Sequence, residues 1–425
     1  MLANRRVIVG VSGGIASYKA VELVSRLQQA GALVDVILTE HAEEFVRPLT
    51  FSTMSHRPVY SDLWEPSGKA AETHIELGEE AELLAVVPAT ANTIAKLAHG
   101  IADNMLTAVA LATRAPLLLA PAMHHQMYTH PATQANLALL RERGAMVVEP
   151  EVGRLASGET GVGRLPDTPV LLGAISVALA RGGDLAGRRV VITAGGTQEP
   201  IDPVRYVGNR SSGKMGYALA IEARDRGAHV TLISGPVALA APYGVDVTTV
   251  ETAAQMRDAV VAAVEGKGKG ERVDVLIMSA AVADYRPAQV AARKLKKEGG
   301  QGAQLYQMGE AFSLELVRTP DILATLAALL DEQSGKPASQ PRLVRVGFAA
   351  ETGDLVAYAR AKLIAKHLDM LVANDVSRAD SGFGSDTNKV LLFHANGEME
   401  DLPVLSKTEV AARIWDRLVP MLQQA

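Results

Sequence analysis

Residues 194–216, AGGTQEPIDPVRYVGNRSSGKMG, constrain the fold more than any other stretch of the chain. They follow a buried-strand run, Val190-Val191-Ile192-Thr193, and lead into an apolar stripe, Ala218, Ile221 and Ala223, that ends at Gly227. The order is strand, glycine-rich turn, helix. Glycines let backbone N–H groups approach a phosphate closely, and the helix N-terminus adds the positive end of its dipole. The turn is too long for a dinucleotide fingerprint, and Ser211-Ser212-Gly213-Lys214 lacks the glycine spacing of a P-loop. A turn of this kind can also do no more than close a strand-to-helix corner. It becomes informative because the same syntax occurs a second time.

That second occurrence opens the chain. Arg6-Val7-Ile8-Val9 reads as a strand and Gly10-Val11-Ser12-Gly13-Gly14 as its turn. Ala20, Leu23, Val24 and Leu27 follow at helical spacing until Gly31, and residues 33–38 form the next strand. Further strand runs at 83–87, 116–120 and 145–148, separated by helix-length segments, predict a doubly wound parallel sheet whose ligands lie beyond the strand carboxyl ends. Residues 88–92 (PATAN) and 121–124 (PAMH) fall at such ends. The glycine-rich stretch 149–166 is expected to be a loop, either a lid or disordered, and 167–181 a helix. Gly182-Gly183-Asp184 marks the joint, giving domains 1–183 and 184–425.

The second half repeats the alternation, with strands expected at 190–193, 229–233, 273–278, 343–348 and 370–373. Residues 266–270 and 334–341 read as solvated connectors. Runs 390–393 and 399–402, joined through Asn396-Gly397, predict a hairpin, and 408–422 an amphipathic helix. The fold class is therefore α/β, two doubly wound, Rossmann-like parallel-sheet domains. A chain of 425 residues is long for one core, which agrees.

Composition removes several functions. The chain has 48% hydrophobic and 21% charged residues and a net charge of −5, with no basic stripe, so it carries no footprint for nucleic acid. It has no cysteine, which excludes disulfides, thiolate metal sites and a cysteine nucleophile. The most apolar long window, 105–123, is broken by Arg114, Pro116 and Pro121, and the N-terminus enters a strand directly; a cytoplasmic protein is expected.

Among single residues, His74 is the first candidate for acid/base work, against the plainer reading of a satisfied structural histidine. Asn92, Asp103 and Asn104 supply polar groups within apolar sequence, which suits a flat heteroaromatic ligand with a phosphate tail. His124 and His125 are adjacent and cannot present one face as a metal pair. In the second half Lys294, Lys296, Lys297, Lys362 and Lys366 form either a solvated face or an anion site. Asp284 and Asp321 can hold Mg2+ through phosphates, or Asp321 can cap the helix after Pro320.

Longer motifs make the picture specific. GVSGGIASYK (10–19), HIELG (74–78), PATANTIAKLAHGIADNMLT (88–107) and PAMHHQM (121–127) resemble the flavoprotein half of the bifunctional phosphopantothenoylcysteine decarboxylase/phosphopantothenate–cysteine ligase family of coenzyme A biosynthesis. Residues 195–216, AAVADYRP (280–287), KLKK (294–297), GFAAET (347–352) and ANDV (373–376) resemble its ligase half. The resemblance spans both halves in family order. It implies a flavoprotein domain followed by a nucleotide-binding ligase domain, with FMN as cofactor and Mg2+ beside CTP as co-substrate. His74 matches the family's catalytic histidine, and Ser12, Gly13, Gly14, Thr39 and Asn92 match or adjoin its FMN contacts. In the family, FMN oxidises the thiol side of the substrate so that the carboxylate can leave, and then returns the hydride.

Two positions depart from the family pattern. His124 stands where the family often has an asparagine that holds the substrate carboxylate, and a histidine can donate the same hydrogen bond. Ser157 stands where the best-known members carry a proton-donating cysteine. A serine hydroxyl is far less acidic than a thiol, whose pKa is about 8.5, and makes a poor general acid. Either Glu159, a histidine or water supplies that proton, or this half stalls at the enethiol. For the ligase half the resemblance implies that Ser279, Ala280, Asp284, Lys294, Pro320, Asp321, Ile322, Leu323, Phe348, Lys362 and Lys366 hold CTP. Asn209 would bind the acyl-cytidylate, Lys294 would close over the site, and Asp284 would serve the metal. Partners implied are small molecules and other copies of the chain, in a homo-oligomer as large as a dodecamer.

Two other readings remain in view: a working ligase with an impaired or regulatory flavin-binding first half, and a nicotinamide-dependent dehydrogenase. The latter needs a dinucleotide fingerprint that is absent. A visible spectrum separates them: the purified protein is expected to show flavin bands near about 370 and 450 nm, and a colourless protein would leave the dehydrogenase standing.

Overall fold

The computed structural model describes residues 2–64, 72–266, 272–295, 307–308, 311–332, 342–351, 355–375, 382 and 384–424. Lys296, Lys297, Thr352, Val376 and the stretches 267–270 and 334–341, all read above from sequence, lie outside them. The chain forms two compact units, Met1–Arg181 and Gly182–Ala425.

In the first unit six parallel strands lie in the order Val59–Tyr60, Leu33–Leu38, Arg6–Val11, Leu83–Ala89, Leu117–Pro121, Met146–Val147. Val7, Ile8, Val9 and Val11, and every residue of Leu83–Ala89, are buried. Unbroken apolar strands of this kind belong to a sheet covered on both faces, because period-two alternation would leave one face wet. The helix Ser17–Gln29 buries Ala20, Leu23, Val24 and Leu27, the stripe seen in the sequence, and Gly31 turns the chain away at φ 84°.

The apolar window 105–123 resolves into the helix Met105–Ala112 and the strand Leu117–Pro121. Asn104 and Thr107 cap that helix reciprocally, and its Leu106 packs on Gly10: a Cβ there would lie 2.4 Å from Leu106 Cδ1. Among the described residues no helix is long and apolar enough to cross a membrane.

The expected loop at 149–166 is instead largely an antiparallel hairpin, Glu151–Arg154 against Thr160–Arg164. Its glycines explain both the misreading and the structure. A Cβ on Gly163, at φ 141°, would sit 2.1 Å from Met123 O, so only glycine lets this strand approach closely enough for Met123 N to donate to Gly163 O at 3.1 Å.

The second unit has an eight-stranded sheet: Asp246–Thr249, His229–Ser234, Arg189–Ala194, Val275–Met278, Val344–Glu351, Met370–Asp375, Val390–His394, Met399–Asp401. The first six are parallel, and the last two form the expected hairpin, whose Val390–His394 strand is antiparallel to Met370–Asp375. The helix Lys407–Gln424 buries Val410, Ala411, Ile414, Trp415 and Leu418 in the same core as the helix Lys214–Asp225, and Trp415 Nε1 donates to Leu219 O at 3.0 Å.

Gly216, in the first turn of Lys214–Asp225, lies where that helix touches the sheet. An added Cβ would be 2.6 Å from Ala194 Cβ and 2.7 Å from Ser279 Oγ. Gly216→Ala is therefore expected to destabilise the second unit by about 1–3 kcal/mol, read as a lower denaturant midpoint with an unchanged slope.

Candidate functional site

Both sheets place the first strand of their unit between the second and the fourth, so each has a topological switch point there, with a crevice outside the strand carboxyl ends. In the first unit the loop after Arg6–Val11 meets the loop after Leu83–Ala89 at this point. Ser12, buried, fastens them: its hydroxyl donates to Pro88 O at 2.7 Å and accepts from Thr90 N at 2.9 Å. Thr39 is buried after the strand Leu33–Leu38, and its N–H donates to Val11 O at 3.0 Å. Gly13 packs against His41, whose Cβ would be 2.4 Å from an added Cβ, whereas Gly14 has room, with Thr90 Cγ2 at 3.5 Å. Asn92 is exposed in the first turn of Ala91–His99.

These residues fit a phosphate-bearing ring cofactor. The helix Ser17–Gln29 starts with no side-chain cap and no acid in its first turn, so its positive end has no counter-charge of its own. Lys19 is committed elsewhere, donating to Leu165 O at 3.1 Å and Asp167 at 3.0 Å, and holds the Asp167 carboxyl below its usual range. His74 is half-buried in the first turn of Thr73–Glu80, a helix that packs on Met105–Ala112.

The hairpin brings the departures from the family pattern together. His124 Nε2 lies 2.9 Å from the Glu159 carboxylate, and Ser157, exposed between the two strands, accepts from Glu159 N at 3.4 Å. Asp103 pairs with Lys96 at 2.6 Å, which holds its carboxyl down, and Asn104 caps a helix; both have structural work.

In the second unit a crevice of 920 Å3 lies at the switch point. It is lined by Asn209, Ser279, Ala280, Asp284, Pro320, Asp321, Ile322, Leu323, Phe348, Lys362 and Lys366, all anticipated from the motifs. Its floor is held by hydroxyls at the end of Arg189–Ala194. Ser279 Oγ donates to Thr193 O at 2.5 Å, Ala280 N donates to Thr193 Oγ1 at 3.1 Å, and Ala283 N donates to the buried Thr197 Oγ1 at 2.9 Å. Asn209 Nδ2 donates to Ala281 O at 3.0 Å and Val282 O at 3.2 Å, so its side chain fixes the same segment.

Asp321 caps the helix Ile322–Glu332, accepting from Ala324 N at 3.0 Å, and pairs with Lys366. Burial pushes its carboxyl up, but Lys366 and the Ala324 and Leu323 N–H groups outweigh this and hold it below its usual range. Lys362 Nζ donates to Phe348 O at 2.9 Å. Asp284 is exposed, and among the described residues no group of three or more histidines and acids is placed to hold a metal. Such a residue set suits Mg2+ carried by phosphates rather than a protein cage.

Lys294 is exposed and lies outside the crevice lining. Its neighbour Leu295 is held by Asp202, a residue the sequence reading passed over. Asp202 is buried and accepts from Val204 N at 2.8 Å, Arg205 N at 3.0 Å and Leu295 N at 3.2 Å. The reading also passed over the lining residues Lys214, Arg318, Asn374, Asn388 and Lys407. Lys214 and Asn374 sat inside quoted motifs, 195–216 and 373–376, and the other three did not.

An α/β flavoprotein fused to a second α/β unit with a nucleotide-sized crevice is the class these features define. The pattern of the family described as "Flavoprotein" matches residues 1–179, and that of the "DNA/pantothenate metabolism flavoprotein C-terminal domain" matches 185–421. The coenzyme A biosynthesis bifunctional protein CoaBC of Bacillus subtilis is 46% identical over 100% of this chain and 99% of its own length. That of Mycobacterium bovis is 45% identical over 98% and 97%. A solved C-terminal domain of a CoaBC protein is 39% identical, covering 57% of this chain and 100% of its own with a TM-score of 0.44. The chain belongs to the CoaBC family, bifunctional enzymes of coenzyme A biosynthesis that join a flavoprotein decarboxylase to a ligase.

The Asp321–Lys366 pair gives a pH test. A depressed carboxyl contributes stability that is present above its unfolded pKa and lost as pH falls through the folded one. Asp321→Asn is therefore expected to lower the thermal midpoint at neutral pH, with the difference from the native chain narrowing as the pH falls below 3.8 and vanishing only below the still lower folded pKa. Asparagine caps a helix as well as aspartate does, so a pH-independent difference would contradict a role for the ion pair.

Proposed function

We propose that the second half joins L-cysteine to 4′-phosphopantothenate with consumption of CTP through an acyl-cytidylate, and that the first half decarboxylates the product to 4′-phosphopantetheine. The observation that carries this reading is the crevice, which draws residues from stretches far apart in sequence into one nucleotide-sized site. Ser279 and Ala280 present a fixed backbone edge to the base and sugar. Lys362 and Lys366 stabilise the charge that develops as pyrophosphate leaves; Asp284 would hold Mg2+, which would supply further positive charge. Asn209 orients the acyl group, and Lys294 comes to the site from the segment anchored by Asp202.

In the first half Ser12, Gly13, Gly14, Thr39 and Asn92 hold FMN, which supplies an electron sink for the departing carboxylate. His74 moves the substrate proton. His124 binds the carboxylate and, paired with Glu159, supports proton return in place of the thiol that this chain lacks; Ser157 contributes its hydroxyl to the same corner. The enzyme works in the cytoplasm as a homo-oligomer as large as a dodecamer, with small molecules as its other partners.

Product analysis with CTP, Mg2+, cysteine and 4′-phosphopantothenate tests the reading. Lys294→Gln is expected to slow ligation by about 10²-fold or more while decarboxylation of supplied phosphopantothenoylcysteine is unchanged, and His74→Asn to do the reverse. Equal loss of both activities in either variant would contradict two separate sites. Ser157→Ala is expected to retain turnover; complete loss would make Ser157 itself the proton donor.

A further inference from the structure

The helix His125–Thr129, for which His124 is the cap, spans only five residues. A helix this short does not hold its own shape, because its few hydrogen bonds do not offset the cost of nucleation. Its single buried residue is Tyr128, which lies in the same core as Leu137 and Leu140. Tyr128 N donates to His124 O at 3.0 Å, and the phenol donates to Glu149 Oε2 at 2.5 Å. Glu149 also pairs with Arg141, from the helix Pro131–Glu142, and 61% of its side chain is open to water. Burial and the Glu149 carboxylate push the Tyr128 phenol up, so it keeps its proton and remains the donor.

Glu149 stands two residues before the hairpin of Glu151–Arg154 and Thr160–Arg164, which is a two-stranded sheet of its own. Two strands without a third hold their position poorly. This pair is pinned at three places. Met123 N donates to Gly163 O in the second strand, Tyr128 holds the residue that leads into the first, and near the tip Glu159 meets His124 Nε2 at 2.9 Å. The contacts close a ring that runs from His124 along one helical turn to Tyr128, across to Glu149, up the hairpin to Glu159 and back to His124. A buried phenol needs an acceptor, but this one reaches past the core to a water-exposed carboxylate on the segment that carries the hairpin.

We infer that Tyr128, acting through Glu149, is a positioning residue of the first half: it sets the hairpin against the short helix and so fixes the spacing of His124 and Glu159. The inference rests on the reading above, in which that corner binds the substrate carboxylate and supports proton return. It adds that the corner is assembled from its far side, by a bond that touches neither substrate nor cofactor.

Supplying phosphopantothenoylcysteine to the FMN-loaded full chain tests this through two quantities: KM, and the share of decarboxylated product released as the oxidised enethiol instead of 4′-phosphopantetheine. Tyr128→Phe, which keeps the ring in the core, is expected to raise KM by about three- to tenfold and to raise the enethiol share, with ligation unchanged. Amide hydrogen exchange across 151–164 is expected to quicken in the same variant without substrate. Glu149→Ala is expected to match it, and Glu149→Gln, which retains an acceptor for the phenol, to recover most of both quantities. A purely structural role predicts a lower thermal midpoint with native KM and native enethiol share, and that result overturns the inference. Should Tyr128→Phe fail to fold, Glu149→Ala, on an exposed residue, decides by the same two quantities. His124→Ala and Glu159→Ala separate the two levels of the argument. If they shift KM and the enethiol share while Tyr128→Phe and Glu149→Ala do not, the inference alone fails; if none of the four shifts them, the assignment of this corner fails with it.

Discussion

Hydroxyl groups at the ends of the central strands fix both sites. Where parallel strands stop, their next N–H and C=O groups lose sheet partners and must find others, because unpaired polar groups are costly away from water. In the first unit Ser12 meets this need by bridging Pro88 O and Thr90 N. In the second, Thr193 and Thr197 accept from Ala280 N and Ala283 N, and Ser279 donates back to Thr193 O. Each bridge joins the carboxyl end of the first strand, or the loop after it, to that of the fourth, which is where the strand order turns back.

That arrangement also explains what the sequence could disclose. Strands buried on both faces appear as unbroken apolar runs, so Arg6–Val11, Leu83–Ala89, Arg189–Ala194 and Val275–Met278 were legible, and with them the doubly wound fold. The hairpin at 151–164 was not, because glycines at 153, 161 and 163 erase the side-chain alternation that announces a strand. Gly161 and Gly163 are set by close approach to His125 and Met123, neighbours that a linear reading does not supply.

The site divides in the same way. Residues that touch the crevice through backbone or short side chains lie in contiguous motifs, and Ser279, Ala280, Asp284 and Pro320–Leu323 were found from them. Of the residues that act by holding another segment, Asn209 was named and Asp202 was missed. Asp202 sits in a quoted motif, but its task depends on Leu295 N, 93 positions later. Lys407 opens an amphipathic helix and looks like any solvated first-turn lysine until the fold buries it against Ser385. Nothing local distinguishes a lysine that covers a surface from one that is drawn into a cleft.

The crevice therefore holds its cations in two different ways. Lys366 is paired with Asp321 and Lys214 with Asp386, and in both pairs the acid is at least half exposed, with 50% and 88% of its side chain open. Each lysine is thus held by a partner that water already solvates, and an exposed pair of this kind contributes little to stability. Lys407 has the Ser385 carbonyl instead, and burial and Lys214 lower its pKa against the opposing effect of Asp386. A carbonyl compensates a buried ammonium less fully than a carboxylate does, and burial accordingly disfavours the charged form of Lys407. The crevice wall is thus built from two exposed ion pairs and one buried cation held by main-chain oxygen.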